Sequence, residues 1–228
     1  LRPVAGDPYV RAYSTPGLSR RKTWQATLKL DWEVAPSTTI SSVTDYNRLN
    51  KRYAEDPDGS AMDFVTYAQG QRLRQFSQEL RLQGDHGPFR YTAGGFYLHT
   101  SNRSTVDLDL PSFELLTNSG IDLTTESYAF FGQAEYDLAS QLTLIGGVRY
   151  SRDIKTADYF LQDNAGDIVA FNPSTSPLAK QRNNLWSAKA EIDWKPADDI
   201  LIYASYSRGV KGGSFSAPAI YPAAGEPD

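Results

Sequence analysis

The chain of 228 residues has no cysteine, one methionine and two histidines. The lack of cysteine excludes disulfides and thiolate metal ligands, and it suits an oxidising compartment whose proteins can avoid this residue. His86 and His99 stand too far apart in the sequence for a local metal motif, so we expect two ordinary surface histidines. The formal net charge of -4 argues against nucleic acid as a partner.

Long apolar runs are also missing, although a membrane helix needs about 18 or more consecutive apolar residues. The chain opens on Leu1-Arg-Pro-Val4 without the charged and apolar regions of a secretory signal. It ends on Glu226-Pro-Asp228, within a stretch that reads as a loop. We therefore expect an internal piece of a longer protein.

The clearest positive feature is a strict alternation of apolar and polar side chains. In residues 184–194 every second residue from Trp186 to Trp194 is apolar, and the residues between them are polar or charged. A period of two is typical of a β-strand with one apolar face, because a helix would scatter these residues around its axis. The same design recurs in residues 23–33 and 127–138.

Large aromatic residues stand eight positions apart at the two ends of these apolar faces. Eight steps of ~3.3 Å span roughly 26 Å, which a strand tilt of about 40° reduces to about 20 Å of height. This height is close to the ~25 Å apolar band of an outer-membrane β-barrel, which aromatic girdles flank on both sides. We predict a lipid-facing girdle of Trp24, Trp32, Tyr128, Tyr136, Trp186 and Trp194.

About eight strands in four hairpins account for the whole pattern. Short turns are expected near residues 36, 86, 139 and 197. Long polar connections are expected at 50–70, 104–124 and 156–181. Alternating short and long connections place all short turns at one end of an antiparallel sheet, as in outer-membrane barrels. The predicted strands are residues 22–33, 39–49, 73–83, 89–102, 127–138, 141–153, 184–194 and 200–208, and Gly94 and Gly95 leave the facing of the fourth strand open.

Five strand segments combine glycine, aromatic residues and charges in a set order. They are Phe76-Ser-Gln-Glu-Leu-Arg-Leu82, Tyr91-Thr-Ala-Gly-Gly-Phe-Tyr97, Phe131-Gly-Gln-Ala-Glu-Tyr136, Leu142-Thr-Leu-Ile-Gly-Gly-Val-Arg-Tyr150 and Tyr203-Ala-Ser-Tyr-Ser-Arg-Gly-Val-Lys-Gly-Gly213. In this order and spacing they resemble successive barrel strands of TonB-dependent receptors, over about residues 22–215.

The resemblance implies an all-β fold, an antiparallel transmembrane barrel of which residues 1–228 form a part. The whole would be a plugged barrel of about 22 strands, with its plug domain and further strands outside this chain. It implies a non-enzymatic function in the bacterial outer membrane, the active uptake of a scarce substrate such as a ferric siderophore. The implied partners are outer-membrane lipid, the protein's own plug, the TonB energy-coupling complex and a small-molecule substrate such as an iron chelate.

The polar face of the predicted strands carries charges that would line the barrel lumen. They either cross-link the lumen wall through neighbouring opposite charges, which we favour, or contact the plug. Aromatic residues of the long connections either touch a substrate or pack loops together. They include Tyr53, Tyr159, Phe160 and Phe171. The lumen-facing candidates are Lys29, Asp31, Glu79, Arg81, Glu135, Arg149, Lys189, Glu191 and Asp193.

No motif predicts a catalytic, cofactor or metal site. Asp56-Pro-Asp-Gly59 lacks the third acidic position and the distal Glu of a calcium loop. The glycines of 209–213 follow a strand without the spacing of a phosphate-binding loop. Two other classes remain open as alternatives: a passive porin or adhesin-like barrel without a plug, and a soluble β-sandwich binding module.

Overall fold

The computed structural model describes residues 14–59, 61–162, 168–172 and 179–215. These residues form one antiparallel sheet in which eight strands follow each other in chain order, with a short additional strand, β7, beside β6. The strands are β1 (Leu18–Ala35), β2 (Thr38–Glu55), β3 (Thr66–His86), β4 (Phe89–Leu110), β5 (Leu115–Ala139), β6 (Leu142–Gln162), β7 (Ile168–Asn172), β8 (Lys180–Ala197) and β9 (Ile200–Arg208).

The predicted short turns all lie at one end of the sheet. β1 and β2 are joined through Ser37, which has a φ of 58°, and β3 and β4 through Gly87, which has a φ of 70°. A positive φ matches the twist that two-residue hairpin turns require. Neighbouring turns are also hydrogen-bonded, since Asp85 N donates to Ser37 O at 3.0 Å and Lys195 N donates to Gln141 O at 2.8 Å.

The predicted long connections were too long, because the strands continue well past the alternating segments. β2 and β3 leave only residues 56–65 between them, and a 3-10 turn at Pro111–Phe113 joins β4 to β5. The third connection holds the end of β6 and all of β7, and its residues 163–167 and 173–178 lie outside the described part. In the extension of β4 the apolar residues Val106 and Leu108 lie on the side that is polar in the alternating segment, so the pattern that predicted the strands ends there although backbone pairing continues.

The sheet has little conventional core. Among the described residues, the buried apolar side chains are those of Leu108, Ala129, Ala157, Leu161 and Ala179, and three of these are alanines. Many large apolar side chains are exposed instead. The strands are therefore held mainly by backbone ladders and cross-strand pairs. Among the described residues, no helix has the length and apolar character needed to cross a membrane.

Candidate functional site on the two faces of the sheet

Directly opposed residues of antiparallel strands share one face of a sheet, so the pairing register assigns each candidate residue to a side. Trp186 lies opposite Tyr150, which lies opposite Phe130. All six predicted girdle residues lie on this side, which we call the apolar face. All nine charged candidates lie on the other side, which we call the polar face.

A diagonal row of aromatic side chains, the upper belt, crosses the apolar face. Neighbouring rings touch, with centroids 5.6 Å apart for Trp24 and Tyr46 and 5.1 Å apart for Tyr97 and Tyr128. The row shifts by two residues at every second strand, which is an average of one residue per strand. With ~3.3 Å per residue along a strand and ~4.8 Å between strands, this shift corresponds to a strand tilt of about 35°. The upper belt consists of Trp24, Tyr46, Phe76, Tyr97, Tyr128, Tyr150 and Trp186.

Eight residues towards the short turns, a second row follows the same diagonal. It contains Trp32, Phe89, Tyr136 and Trp194, and these side chains are 39 to 69% exposed. A strip of aliphatic residues such as Leu28, Leu80 and Val148 separates the two rows. The apolar face therefore has two aromatic belts with an aliphatic band between them.

Most charged candidates on the polar face are paired with a neighbour of opposite sign. Lys29 Nζ lies 2.9 Å from Asp31 Oδ2, and Lys189 Nζ lies 2.9 Å from Glu191 Oε2. Arg81 Nε likewise donates to Glu79 Oε1 at 2.9 Å. Each of these pairs joins residues two positions apart on one strand, whose side chains project to the same side.

Arg90, at the start of β4, organises the central charges and was not among the predicted residues. Its guanidinium binds Asp137 through two hydrogen bonds of 2.7 and 2.8 Å and reaches Glu135 Oε2 at 3.2 Å. Thr143 Oγ1 donates to the same Asp137 at 2.8 Å. The sequence could not assign Arg90 because Gly94 and Gly95 obscure the facing of its strand. Assigning Arg90 to the polar face requires the pairing register between β4 and β5, and this register cannot be obtained from the alternation within β4 alone.

The polar face is concave near the short turns. A cavity of about 790 Å³ is lined by residues from every strand between β1 and β5, including Lys29, Asp31, Arg90 and Glu135. In a flat sheet β1 and β5 would stand about 19 Å apart, at four spacings of ~4.8 Å, so the sheet must curl towards this face. The curvature brings three predicted residues together with Arg90. The other six, Glu79, Arg81, Arg149, Lys189, Glu191 and Asp193, do not line the cavity.

Aromatic rings also pack on the polar face, where they cover opposed glycines. Phe131 lies opposite Gly94, and a methyl group at Gly94 would stand 2.6 Å from the Phe131 ring and 2.5 Å from Leu80 O. The guanidinium of Arg149 lies over the rings of Phe96 and Phe131, 5.6 and 5.8 Å from their centroids. This predicted lumen residue is thus held by cation–π contacts with two aromatic rings.

Beyond the upper belt, the polar face carries an aromatic cluster near the strand ends. Tyr53 contacts Tyr67 with centroids 6.4 Å apart, and Lys51 Nζ lies 5.5 Å from the centre of the Tyr53 ring. A hydrogen bond from Tyr53 to Glu55 raises the pKa of the tyrosine. Contrary to the prediction, Tyr53 belongs to β2, and Tyr159 and Phe160 belong to β6, rather than to loops. The side chain of Phe171 lies outside the described part.

The histidines occupy separate places. His86 stacks on Tyr91 with centroids 6.0 Å apart, and His99 Nδ1 lies 3.8 Å from Glu126 Oε1. Within the described ranges, no three His, Cys, Asp or Glu side chains are grouped so that they could hold a metal ion.

A curled antiparallel sheet with one polar face and one belted apolar face defines a segment of a β-barrel wall. A family model described as "TonB dependent receptor-like, beta-barrel" matches residues 2–227. The chain therefore belongs to the TonB-dependent receptor family, whose members reside in the bacterial outer membrane and are transporters rather than enzymes. The predicted fold, family and location are confirmed.

Several solved receptors share this fold at low sequence identity. The ferric yersiniabactin uptake receptor FyuA from Yersinia pestis matches at 18% identity with a TM-score of 0.70, over 83% of this chain and 28% of that chain. The ferric-catecholate import receptor Fiu from E. coli K12 matches at 11% identity and 0.62, over 86% and 36%. BauA, the ferric preacinetobactin receptor from Acinetobacter baumannii, matches at 12% and 0.53, over 86% and 32%. The chain thus spans about a third of the length of these receptors.

Proposed function

We propose that the parent receptor actively takes up a scarce small molecule, such as a ferric siderophore, across the outer membrane. The observation that carries the proposal is the family match over residues 2–227. The substrate class is supported by three structurally similar receptors, which are named for ferric yersiniabactin, ferric catecholates and ferric preacinetobactin. Cobalamin, haem and carbohydrates are the competing substrate classes.

In this proposal the convex apolar face meets lipid and the concave polar face lines the lumen. The two aromatic belts stand eight residues apart, and roughly 26 Å of strand tilted by about 35° gives about 21 Å of height. That height fits the apolar band of an outer-membrane barrel. The opposite assignment would place the Lys29–Asp31 and Lys189–Glu191 pairs in hydrocarbon, where charged side chains are costly.

The polar face would hold the plug, through which the TonB complex acts. Most of its charges are already paired with a charge of opposite sign. The plug can therefore move away from this face without exposing many unpaired ions. Arg149 packs on two aromatic rings instead, and Asp193 has a buried Oδ1 that accepts no hydrogen bond from any described residue. We infer that Asp193 is a plug contact, and that the other pairs chiefly cross-link the wall.

The cluster of Lys51, Tyr53 and Tyr67 would meet the substrate at the outer mouth of the lumen. It lies on the polar face at the end opposite the short turns, and short turns are periplasmic in outer-membrane barrels. Aromatic rings beside a cation suit an anionic, partly apolar chelate.

Whole-cell uptake of radiolabelled ferric chelates tests the proposal in a strain that carries the full-length receptor as its sole uptake route. Uptake should saturate and should stop when TonB is deleted. Tyr53→Ala should weaken uptake, whereas Tyr206→Ala, which removes an exposed ring from the apolar face, should not. Uptake that persists without TonB and does not saturate would identify a passive porin. Uptake of cobalamin, haem or a carbohydrate alone would replace the iron chelate as the substrate.

A further inference from the structure

Six basic side chains form a patch on the apolar-face side of β1 to β3. They belong to Arg20 and Lys22 of β1, Arg48 and Arg52 of β2, and Arg72 and Arg74 of β3, and we call them the basic patch. All six side chains are exposed. Together they line a groove of about 1020 Å³, in which Asp107 is the only acidic lining residue among those the structure describes.

The basic patch begins immediately beyond the upper belt. Trp24 lies opposite Arg48, which in turn lies opposite Arg74. On β2 and β3 these arginines stand two residues past Tyr46 and Phe76, which is about 7 Å along a strand. Since aromatic belts sit at the level of lipid headgroups, the patch lies at or just outside that level.

The register places like charges against each other within the patch. Arg20 is directly opposite Arg52, and Arg48 is directly opposite Arg74. Directly opposed side chains have Cβ atoms about 5 Å apart, and like charges there destabilise a sheet. No described carboxylate lies within 4 Å of these cations to offset the repulsion.

Some other charges on the same side do have partners of opposite sign. Arg103 Nε lies 3.7 Å from Asp122 Oδ1, and His99 lies 3.8 Å from Glu126. Among the described strands, directly opposed cations on this side occur only from β1 to β4, where Arg72 also lies opposite Arg103. Arg152 and Arg182 lack a described carboxylate partner too, but neither lies opposite another cation. An anion bound from outside the chain would offset the repulsion within the patch.

We propose that the basic patch binds the phosphate groups of an anionic lipid in the outer leaflet of the outer membrane. Guanidinium groups form paired hydrogen bonds with phosphate oxygens, and five of the six cations are arginines. The exposed rings and aliphatic side chains below the patch, such as Trp24 and Leu28, offer a surface for the acyl chains of the same molecule. A soluble anion would gain nothing from that apolar surface, so the arrangement selects an amphiphile.

Native mass spectrometry of the full-length receptor in detergent, titrated with diphosphoryl lipid A, tests the proposal. The double variant Arg48→Gln/Arg74→Gln should lose roughly tenfold or more in affinity, as expected for two cations at a lipid surface. Arg152→Gln/Arg182→Gln is the matched control, because it removes two exposed charges from the same face on β6 and β8. Its affinity should stay within about twofold of the wild type, since these arginines stand outside the patch.

Two further probes separate a lipid site from other outcomes. Fully dephosphorylated lipid A should bind weakly to the wild type, and millimolar inorganic phosphate should not displace diphosphoryl lipid A. Equal losses in the two double variants, equal binding of the dephosphorylated lipid, or displacement by free phosphate would each overturn the proposal.

Thermal unfolding tests whether the basic patch only stabilises the sheet. In detergent without anionic lipid, Arg48→Gln/Arg74→Gln should unfold at the wild-type temperature or above, because the substitutions remove like-charge repulsion. Added diphosphoryl lipid A should stabilise the wild type and not this variant. A lower unfolding temperature of the lipid-free variant would show that the arginines stabilise the sheet by themselves, and the proposal would fail.

Discussion

The guanidinium of Arg90 binds both carboxylate oxygens of Asp137, across the pair formed by β4 and β5. Such two-point contacts are the strongest ion pairs in proteins because charge and geometry act together. Arg90→Gln should therefore lower the stability of the full-length barrel more than Lys29→Gln, whose side chain is 62% exposed and makes one ion pair. Reversible denaturant unfolding in lipid vesicles compares the two. An equal or larger loss for Lys29→Gln would show that the Arg90 contacts do not hold the wall.

Gly94 offers a test of packing on the polar face. Gly94→Ala would bring its methyl group to 2.5 Å from Leu80 O, so backbone must shift, and overpacking of this kind costs about 1–3 kcal/mol. Gly146→Ala is the matched control, because nothing lies within 4 Å of a Cβ there. Its free energy of unfolding should change by less than about 0.5 kcal/mol. Similar losses for both variants in the vesicle unfolding assay would contradict this account.

The orientation of the wall is tested at two adjacent residues of β8. Ala190 lies midway between Trp186 and Trp194 on the apolar face, so Ala190→Arg should cost ~2–4 kcal/mol if that face meets lipid. Glu191→Gln, on the polar face, should cost well under half as much. A lipid-soluble quencher should likewise reach a fluorophore attached at residue 190 and not one at residue 191. The reverse pattern of quenching would invert the proposed orientation.

Asp56, just after β2, predicts a pH-dependent loop. Burial raises the pKa of its carboxyl group, but hydrogen bonds from Ser14 N at 2.9 Å and Gly59 N at 3.1 Å outweigh this and lower it below 3.8. A carboxyl group whose pKa falls on folding stabilises the loop above its unfolded pKa, and this contribution is lost as the pH falls through the folded value.

Hydrogen exchange at the Gly59 amide measures this effect. Protection should be high at neutral pH and fall below about pH 4 in the wild type, whereas in Asp56→Asn, which has no titratable carboxyl group, it should not change with pH over this range. Asp199→Asn, in a short turn at the other end of the sheet, should leave it unchanged. Protection of Gly59 that is insensitive to pH in the wild type would rule out the carboxylate as the anchor.

The strands and their two sides could be predicted from the sequence because side-chain alternation is a property of the extended backbone itself. The placement of Trp24, Trp32, Trp186 and Trp194 on one side of the sheet follows from counting by two. The pattern does not extend to strand ends. Beyond the upper belt the apolar residues of β4, Val106 and Leu108, lie on the opposite side, so residues 104–110 did not continue the pattern and were predicted as a loop, although their backbone is fully paired with β5.

The sequence by itself determined the fold class, the order of the strands, the end at which the short turns lie and the side on which each alternating residue projects. Only the tertiary structure decided which residues face each other across strands. Arg90 meets Asp137, 47 residues away, and Arg48 meets Arg74, because the ladders set a register that no single strand contains. Charge pairing on the polar face and charge repulsion in the basic patch both depend on that register, since electrostatic energy depends on distances across strands and not on spacing along one of them.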